Sequence, residues 1–212
     1  MKKSLDITIL LDRSGSMQAL TNETISGFNE FIHSQRSLDA EITVTLVQFD
    51  HEYLLNYEAV KIDKVKDLNT RTYVPRGMTA LLDAIGKTIK MTRERHKLID
   101  KKKRPDKTML VIITDGYENN STIYTTEKVF NKIKKMETKR GWEFIYLGAN
   151  QDAIKVAGNY GISAKKAMRY ASDKVGTEEM FHALSNNVMY SIVSDKSFEF
   201  SKKQRAKQQR DN

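Results

Sequence analysis

The stretch Ile7-Thr8-Ile9-Leu10-Leu11-Asp12-Arg13-Ser14-Gly15-Ser16 decides the fold class of this 212-residue chain. Its first half is a short apolar run rich in β-branched residues, which predicts a buried strand, and the run stops at a cluster of turn formers. A second strand of the same kind, Met109-Leu110-Val111-Ile112-Ile113, is followed by Thr114-Asp115-Gly116. Such near-continuous apolar strands are typical of a parallel sheet whose two faces are both covered by helices.

Strand and helix patterns alternate along the rest of the chain. The predicted elements are a helix over 17–36, a hairpin of strands 42–49 and 53–62, a helix over 80–98, a helix over 126–139, a strand over 143–147, a short helix over 152–160, an edge strand over 167–171 and a last helix over 177–193. This order predicts an α/β fold, with a doubly wound, mostly parallel central sheet, helices on both faces and one antiparallel edge strand.

The composition excludes several kinds of site. The chain has no cysteine, so it holds no disulfide, thiol nucleophile, thiolate zinc site or iron–sulfur cluster. Its four histidines are widely scattered, which argues against a metal site built from histidine. The longest apolar runs fall far below the ~18 residues of a membrane span, and no secretory signal pattern is present. We therefore expect a cytoplasmic protein without a membrane partner.

Two segments account for the formal net charge of +9. Residues 93–107 carry eight basic side chains against three acidic ones, and residues 202–211 carry five against one. The remainder is balanced, so the folded body has no diffuse basic excess. We expect one folded domain over residues 1–195 and a basic, disordered tail over residues 196–212, which is poor in apolar residues after Phe200.

Oxygen-bearing side chains are expected to meet at the carboxyl ends of the two apolar strands. Asp12 and Asp115 each follow one of these strands, and Ser14 and Ser16 lie in the glycine-containing loop after the first. Thr79 follows another glycine-containing loop, where it is also expected to cap the next helix. Two carboxylates and three hydroxyls describe an oxygen-only site for a hard divalent ion, most naturally Mg²⁺, with Mn²⁺ or Ca²⁺ as alternatives.

Three strings carry a resemblance to a known family. They are Asp12-Arg13-Ser14-Gly15-Ser16-Met17, Gly77-Met78-Thr79-Ala80-Leu81 and Ile113-Thr114-Asp115-Gly116. Together they closely resemble the metal-ion-dependent adhesion site of von Willebrand factor A domains, and all five positions of that pattern are occupied. The element order from about Leu5 to Val193 also resembles this family, most closely its small stand-alone versions from bacteria and phages.

The resemblance implies roles for these residues. Asp12, Ser14 and Ser16 would ligate the ion directly, while Thr79 and Asp115 would ligate it directly or through water. A rim around the ion would be formed by Arg13, Met17, Met78 and Tyr117. Met78 departs from the small residue or glycine that the family often has there, which affects the shape of the rim.

The resemblance also implies a function. In the family, an Asp or Glu of a partner protein completes the coordination of the ion, so the first hypothesis is a metal-dependent protein-binding module that is not an enzyme. Bacterial relatives often work beside chaperone-like ATPases or stress-response proteins, which makes such a component a candidate partner.

Two alternatives to that hypothesis remain. One is a metal-dependent hydrolase or phosphotransferase, although no nearby histidine base and no phosphate-binding Gly-x-x-x-x-Gly-Lys loop supports it. The other is weak, non-specific nucleic-acid association through residues 93–107 and the basic tail, which lack interleaved aromatic residues. At other positions, Asn150 or Asp152 is expected to cap a helix, and His51 and Trp142 are expected to pack or to lie at the surface.

Overall fold

The computed structural model of the protein describes residues 2–149 and 152–208. The strands in these ranges are β1 (Lys3–Asp12), β2 (Ala40–Phe49), β3 (Tyr53–Lys61), β4 (Lys107–Thr114), β5 (Glu143–Ala149) and β6 (Ala167–Tyr170). The α-helices in these ranges are α1 (Thr21–Arg36), α2 (Leu81–Leu98), α3 (Thr126–Arg140), α4 (Ala153–Asn159), α5 (Lys174–Ser194) and α6 (Lys202–Lys207).

The strands form one sheet in the order β3-β2-β1-β4-β5-β6, in which each neighbouring pair is parallel except β2 and β3. In the centre of the sheet, Leu10 of β1 pairs with Val47 on one side and with Ile112 on the other. The strand order changes direction between β1 and β4, and such a switch point opens a crevice beyond the carboxyl ends of the two strands. The predicted α/β fold with one antiparallel edge strand is confirmed.

Both faces of the sheet are covered by helices. One apolar cluster joins Leu5, Ile7 and Ile9 of β1 to α1 and α5, and a second joins Leu10 of β1 to α2, α3 and α4. Because successive side chains of a strand point to opposite faces, a strand buried on both sides needs a continuous apolar run. This is the pattern that the sequence of β1 shows.

Two helix boundaries differ from the prediction. The helix predicted over 17–36 starts as a 3-10 turn, Gly15–Leu20, in which the Met17 N–H donates to the carbonyl oxygen of Ser14 at 3.1 Å. In α5, Asp173 accepts a hydrogen bond from the Gly176 N–H at 2.6 Å, and this N-cap starts the helix earlier than its apolar residues suggest. Of the helices in the described ranges, none combines the length and the hydrophobicity that a bilayer span requires.

The chain after α5 packs against the domain as far as Gln208. Phe198 and Phe200 are buried, and their rings meet edge to face with centroids 4.9 Å apart. Glu143 Oε2 accepts a hydrogen bond from the Phe198 N–H at 2.8 Å. The expectation of a disordered tail is wrong for residues 196–208, because two aromatic side chains supply apolar burial that the polar composition conceals.

The same segment bonds to the backbone at the β6 edge of the sheet. Arg205 Nε donates to the carbonyl oxygen of Ala167 at 3.2 Å, and Gln208 Oε1 accepts from the Ala171 N–H at 3.1 Å. A capping box between Ser201 and Gln204 starts α6. The helix α6 is therefore anchored to the domain through Arg205 and through Gln208, which directly follows it.

A buried ion pair links the start of β1 to the end of α2. Asp6 is almost fully buried, and its Oδ2 lies 2.8 Å from Arg95 Nη2 and 2.7 Å from His96 Nε2. Its Oδ1 accepts a hydrogen bond from the Thr43 hydroxyl at 3.0 Å. Burial alone would raise the pKa of Asp6, but the hydrogen bond from His96 and the charge of Arg95 outweigh it, so the pKa lies below its usual value.

Replacing Asp6 with Asn should reduce the free energy of unfolding by about 3 kcal/mol at neutral pH, because the partly buried Arg95 guanidinium loses its buried carboxylate partner. The folded-state pKa of Asp6 is lowered, so its contribution is complete above the unfolded-state pKa and is lost as the pH falls through the folded-state pKa. Urea unfolding from pH 7 downward should show the difference between wild type and Asp6→Asn shrinking below about pH 4.

The matched control is Asp39→Asn, which removes an exposed ion pair with Lys2 and should change stability little. Equal losses of unfolding free energy in the two variants would show that the Asp6 pair stabilises the fold no more than an exposed ion pair does.

Ending the chain after Asp195 should lower the free energy of unfolding by about 3–6 kcal/mol, because Phe198 and Phe200 leave the core. Ending it after Phe200 keeps both rings and should cost much less. Chemical unfolding of the two truncated chains makes this comparison. A disordered tail would instead leave both truncations as stable as the full chain.

Candidate metal centre

Asp12 ends β1 and is fully buried. Its Oδ1 accepts a hydrogen bond from the Ser14 N–H at 2.6 Å, and its Oδ2 accepts one from the Thr114 hydroxyl at 2.6 Å. Burial, together with the charge of Asp115, raises the pKa of Asp12 to about 6 despite these hydrogen bonds. A carboxylate in such surroundings is stabilised by a cation placed beside it.

Three hydroxyl groups converge next to this carboxylate. Ser14 Oγ and Ser16 Oγ are 3.1 Å apart. A Cβ atom built on Gly116 would lie 3.4 Å from Thr79 Oγ1, 3.5 Å from Ser16 Oγ and 4.0 Å from Ser14 Oγ. Hydroxyls from two separate loops therefore surround one small space that the glycine leaves open.

Asp115 adds the second carboxylate. Its Oδ1 accepts a hydrogen bond from the Ser16 hydroxyl at 2.6 Å, and burial raises its pKa. The structure thus brings the five predicted ligand residues, Asp12, Ser14, Ser16, Thr79 and Asp115, to one crevice. No group of three or more His, Asp or Glu side chains arranged to hold a metal occurs in the described ranges, so a metal here needs the hydroxyls. This donor set fits a hard divalent cation.

Backbone hydrogen bonds join the two loops that carry the hydroxyls. The Gly15 N–H donates to the carbonyl oxygen of Gly77 at 3.1 Å, and the Arg76 N–H donates to that of Arg13 at 2.7 Å. Gly77 has φ +68°, and a Cβ there would lie 2.2 Å from His51 Nδ1. Gly77 therefore permits both a left-handed backbone and the close approach of the imidazole.

The start of α2 is held by the loop after β4 and not by Thr79. The N-cap position is Ala80, and Thr79 makes no side-chain cap, so that prediction is wrong. Glu118 Oε2 accepts from the Leu82 N–H at 2.8 Å, and Asn119 Oδ1 accepts from the Thr79 N–H at 2.9 Å. Because a distant loop satisfies these N–H groups, the Thr79 hydroxyl stays free for the crevice.

Of the four residues predicted to form the rim, two are exposed and two are buried. Met78 and Tyr117 are exposed, at 52% and 63% of their surface. Met17 is buried in the core cluster beneath α1, because the 3-10 turn after the site directs it inward. Arg13 is also nearly buried, and its Nε lies 3.1 Å from Asp50 Oδ2.

Asp50 forms the centre of a charged cluster beside the site that sequence reasoning missed. Its fully buried carboxylate pairs with Arg13 and, at 3.0 Å, with Arg76 Nε, while Arg76 also pairs with Glu52. The Asp50 carboxylate also accepts the Glu52 N–H at 2.6 Å, which closes the β2–β3 hairpin. The acidic hairpin turn was visible in the sequence, but its arginine partners were not.

Sequence reasoning also missed two residues that hold Asp12 in place. Thr114 donates its hydroxyl to the carboxylate, and the buried Tyr73 donates its hydroxyl to the Asp12 carbonyl oxygen at 2.7 Å. The pKa of Tyr73 is raised well above its usual value by burial, so the hydroxyl stays a donor. The position of Thr114 directly before Asp115 was the one available signal.

Three minor predictions have mixed outcomes. Asp152 caps α4 by accepting the Lys155 N–H at 3.1 Å, as predicted, whereas Asn150 lies outside the described residues. Trp142 is buried, with its ring 5.5 Å from that of His96. His51 packs over Gly77 and is partly exposed.

Solved structures with similar folds include a matrix protein of the mussel byssus and a bacterial pilus adhesin. Proximal thread matrix protein 1 from the mussel byssus is 15% identical, with a TM-score of 0.58 over 88% of this chain and 46% of the mussel protein. The pilus adhesin SpaC from Lactobacillus rhamnosus GG is 14% identical, with a TM-score of 0.66 over 90% of this chain and 31% of the adhesin. The chain therefore spans less than half of either protein.

A third similar structure is a single domain of comparable size. The vWF domain of the type V pili tip protein Mfa5 from Porphyromonas gingivalis is 12% identical, with a TM-score of 0.60 over 95% of this chain and 99% of that domain. The mussel protein is also known with a zinc-occupied MIDAS, the metal-ion-dependent adhesion site. At these identities the likeness shows the fold alone. No curated protein matches the chain significantly.

A family model supplies the identification that these distant structures do not. The model of the von Willebrand factor type A domain matches residues 6–187, which include every residue of the crevice described above. The chain belongs to the von Willebrand factor type A domain family.

Proposed function

We propose that the chain is a metal-dependent protein-binding module whose crevice is a complete metal-ion-dependent adhesion site. Asp12, Ser14, Ser16, Thr79 and Asp115 would hold one divalent ion, and an Asp or Glu of a partner protein would complete its coordination. The observation that carries the proposal is the convergence of three hydroxyls beside two carboxylates whose pKa values are raised by burial.

The charges of the site favour binding of an anionic group. The two carboxylates would balance the charge of a bound divalent ion. The ion would still have an open coordination position, which an acidic side chain can fill. The hydroxyls of Ser14, Ser16 and Thr79 add no charge, so they leave the ion electrophilic. Mg²⁺ is the proposed ion, with Mn²⁺ or Ca²⁺ as alternatives, because all the donors are oxygens.

The surroundings of the crevice suit a protein partner. Met78 and Tyr117 are exposed beside the metal loops, and Val74 of the preceding loop is 49% exposed. Apolar and aromatic side chains around a charged centre are typical of the anchoring part of protein interfaces. Arg76, which is about half exposed, lies at the same edge and pairs there with Asp50 and Glu52.

The partner and the cellular setting are also part of the proposal. The proposed partner is a component of a chaperone-like ATPase or of a stress-response system in the cytoplasm. The reason is the resemblance of this chain to small bacterial members of the family, which often work beside such components. We propose binding and not catalysis, because the two carboxylates of the crevice are the proposed ligands and are not left over as a nucleophile or base.

Replacing Asp12 with Asn should abolish stabilisation by Mg²⁺. Excess Mg²⁺ at about 100 times its dissociation constant should raise the free energy of unfolding of wild type by about 2.7 kcal/mol, or its melting temperature by about 5–10 °C. The side-chain oxygen of Asn can accept a hydrogen bond from the Ser14 N–H, and its NH₂ group can donate one to Thr114 Oγ1. The Thr114 hydroxyl can then donate to the Gly116 carbonyl oxygen, which lies 3.3 Å away. The variant should therefore fold.

Thermal melts and titration calorimetry, each with Mg²⁺ and with a chelator, measure this effect. Asp63→Asn is the control, because it removes an exposed carboxylate far from the crevice in sequence and should keep the full metal response. An unchanged Mg²⁺ response in Asp12→Asn would refute the proposed ligand set.

Peptides selected from a random display library in Mg²⁺ should be enriched in Asp or Glu if the ion takes a partner carboxylate. Their binding should be lost with a chelator and weakened about fivefold to tenfold in Thr79→Val, which removes a neutral ligand but keeps the side-chain shape. Biolayer interferometry with synthetic peptides gives the affinities. Val193→Thr, on an exposed site of α5, is the control. Selected peptides without acidic residues would contradict the proposed mode.

A further inference from the structure

A groove between α2 and α3 is lined by basic side chains from both helices. Two adjoining cavities of about 400 Å³ and 260 Å³ open along it, and Arg93 lines both. Lys90 and Arg93 of α2 face Lys132 and Lys135 of α3 across the first cavity. Lys97, Arg104, Lys139 and Arg140 continue the charge along the second.

These charges are poorly neutralised. Of the described residues that line the two cavities, Glu94 is the one carboxylate, and it already pairs with Lys97 at 2.9 Å and Arg93 at 3.1 Å. Burial lowers the pKa of Lys132, and the charges of Arg93, Lys90 and Lys135 lower it further. In addition, Arg93 Nε is buried and has no hydrogen-bond partner among the described residues. The cations of the groove therefore outnumber its one carboxylate, which favours binding of an anionic ligand.

The groove is separate from the metal centre. The first turn of α2 lies at the crevice, and Arg93 is twelve residues further along, about 18 Å at 1.5 Å per residue. The second cavity reaches Thr108 and Trp142, at the amino ends of β4 and β5. The proposed protein-binding site at the carboxyl ends of the strands thus leaves this surface without a role.

We propose that the α2–α3 groove binds the phosphodiester backbone of single-stranded nucleic acid without reading its sequence. A row of cations on two facing walls matches a flexible chain that carries one negative charge per nucleotide. No exposed aromatic side chain among the described lining residues offers a stacking surface, so affinity comes from charge and is sensitive to salt.

The shape of the groove favours a single strand over the other polyanionic surfaces. A flexible single strand can bend to bring successive phosphates into the two cavities, whereas a duplex, with a persistence length of about 150 bp, is too stiff to follow them. A membrane is flat and would meet the ridges of the helices, whereas Arg93 and the partly buried Lys132 lie within the groove.

The other basic segment of the chain supplies a matched control. Lys202, Lys203 and Lys207 belong to α6, which packs at the β6 edge of the sheet and not on the α2–α3 face. Changing these three lysines to Gln alters the net charge as much as changing Arg93, Lys132 and Lys135 to Gln. The comparison therefore separates local charge from total charge.

Fluorescence anisotropy with a labelled oligothymidine of about 20 nucleotides tests the proposal on the full chain, in chelator, at several salt concentrations. The Arg93→Gln/Lys132→Gln/Lys135→Gln variant should bind at least tenfold more weakly than wild type at about 100 mM salt. Its slope of log affinity against log salt should be smaller by about 2, since each lost contact to a single strand contributes about 0.7. The α6 variant should lose less than threefold.

Several results would overturn the proposal. They are equal losses in the two triple variants, no binding by wild type, and binding of a duplex of the same length as tightly as the single strand. Groove-dependent binding to phosphatidylserine vesicles without binding to the oligonucleotide would assign the surface to a membrane instead. Should the groove variant melt at a lower temperature, Lys135→Glu on the exposed side of α3 replaces it, with an expected loss of about fivefold.

Discussion

The parallel pairing of β1 with β4 is the interaction on which the crevice depends. The pairing of Leu11 with Ile113 sets Asp12 level with Thr114, whose hydroxyl then holds the Asp12 carboxylate. Asp115 follows immediately, so the second carboxylate reaches the same space. Neither aspartate could be buried near the other without the apolar burial that keeps the two strands together.

The three loops that form the crevice hold one another in place. The loop after β1 and the loop before α2 exchange backbone hydrogen bonds, and the loop after β4 caps α2 through Glu118 and Asn119. Asp83 strengthens the last link by accepting N–H groups from Ile123 and Tyr124. Rigid support of this kind reduces the ordering that binding would otherwise require.

Sequence reasoning predicted the features that depend on local strings. The apolar runs of β1 and β4 and the five oxygen donors stand next to each other in the chain or belong to a familiar pattern, so the sheet and the content of the crevice could be anticipated. Arg13 and Met17 were misplaced because their surroundings come from Asp50 and from the core beneath α1, which the local string does not show. The burial of Phe198 was missed for the same reason, since only the fold shows what this side chain contacts.

The contacts of residues 196–208 with β6 have a consequence for the behaviour of the sheet as a whole. An edge strand presents unpaired backbone groups to which a strand of another molecule can add. Here Arg205 and Gln208 side chains engage backbone groups of Ala167 and Ala171, and α6 stands beside the strand. The helix α6 thus hinders the pairing of this edge with a strand of another molecule. Its basic charge adds repulsion between copies of the molecule that approach along that edge.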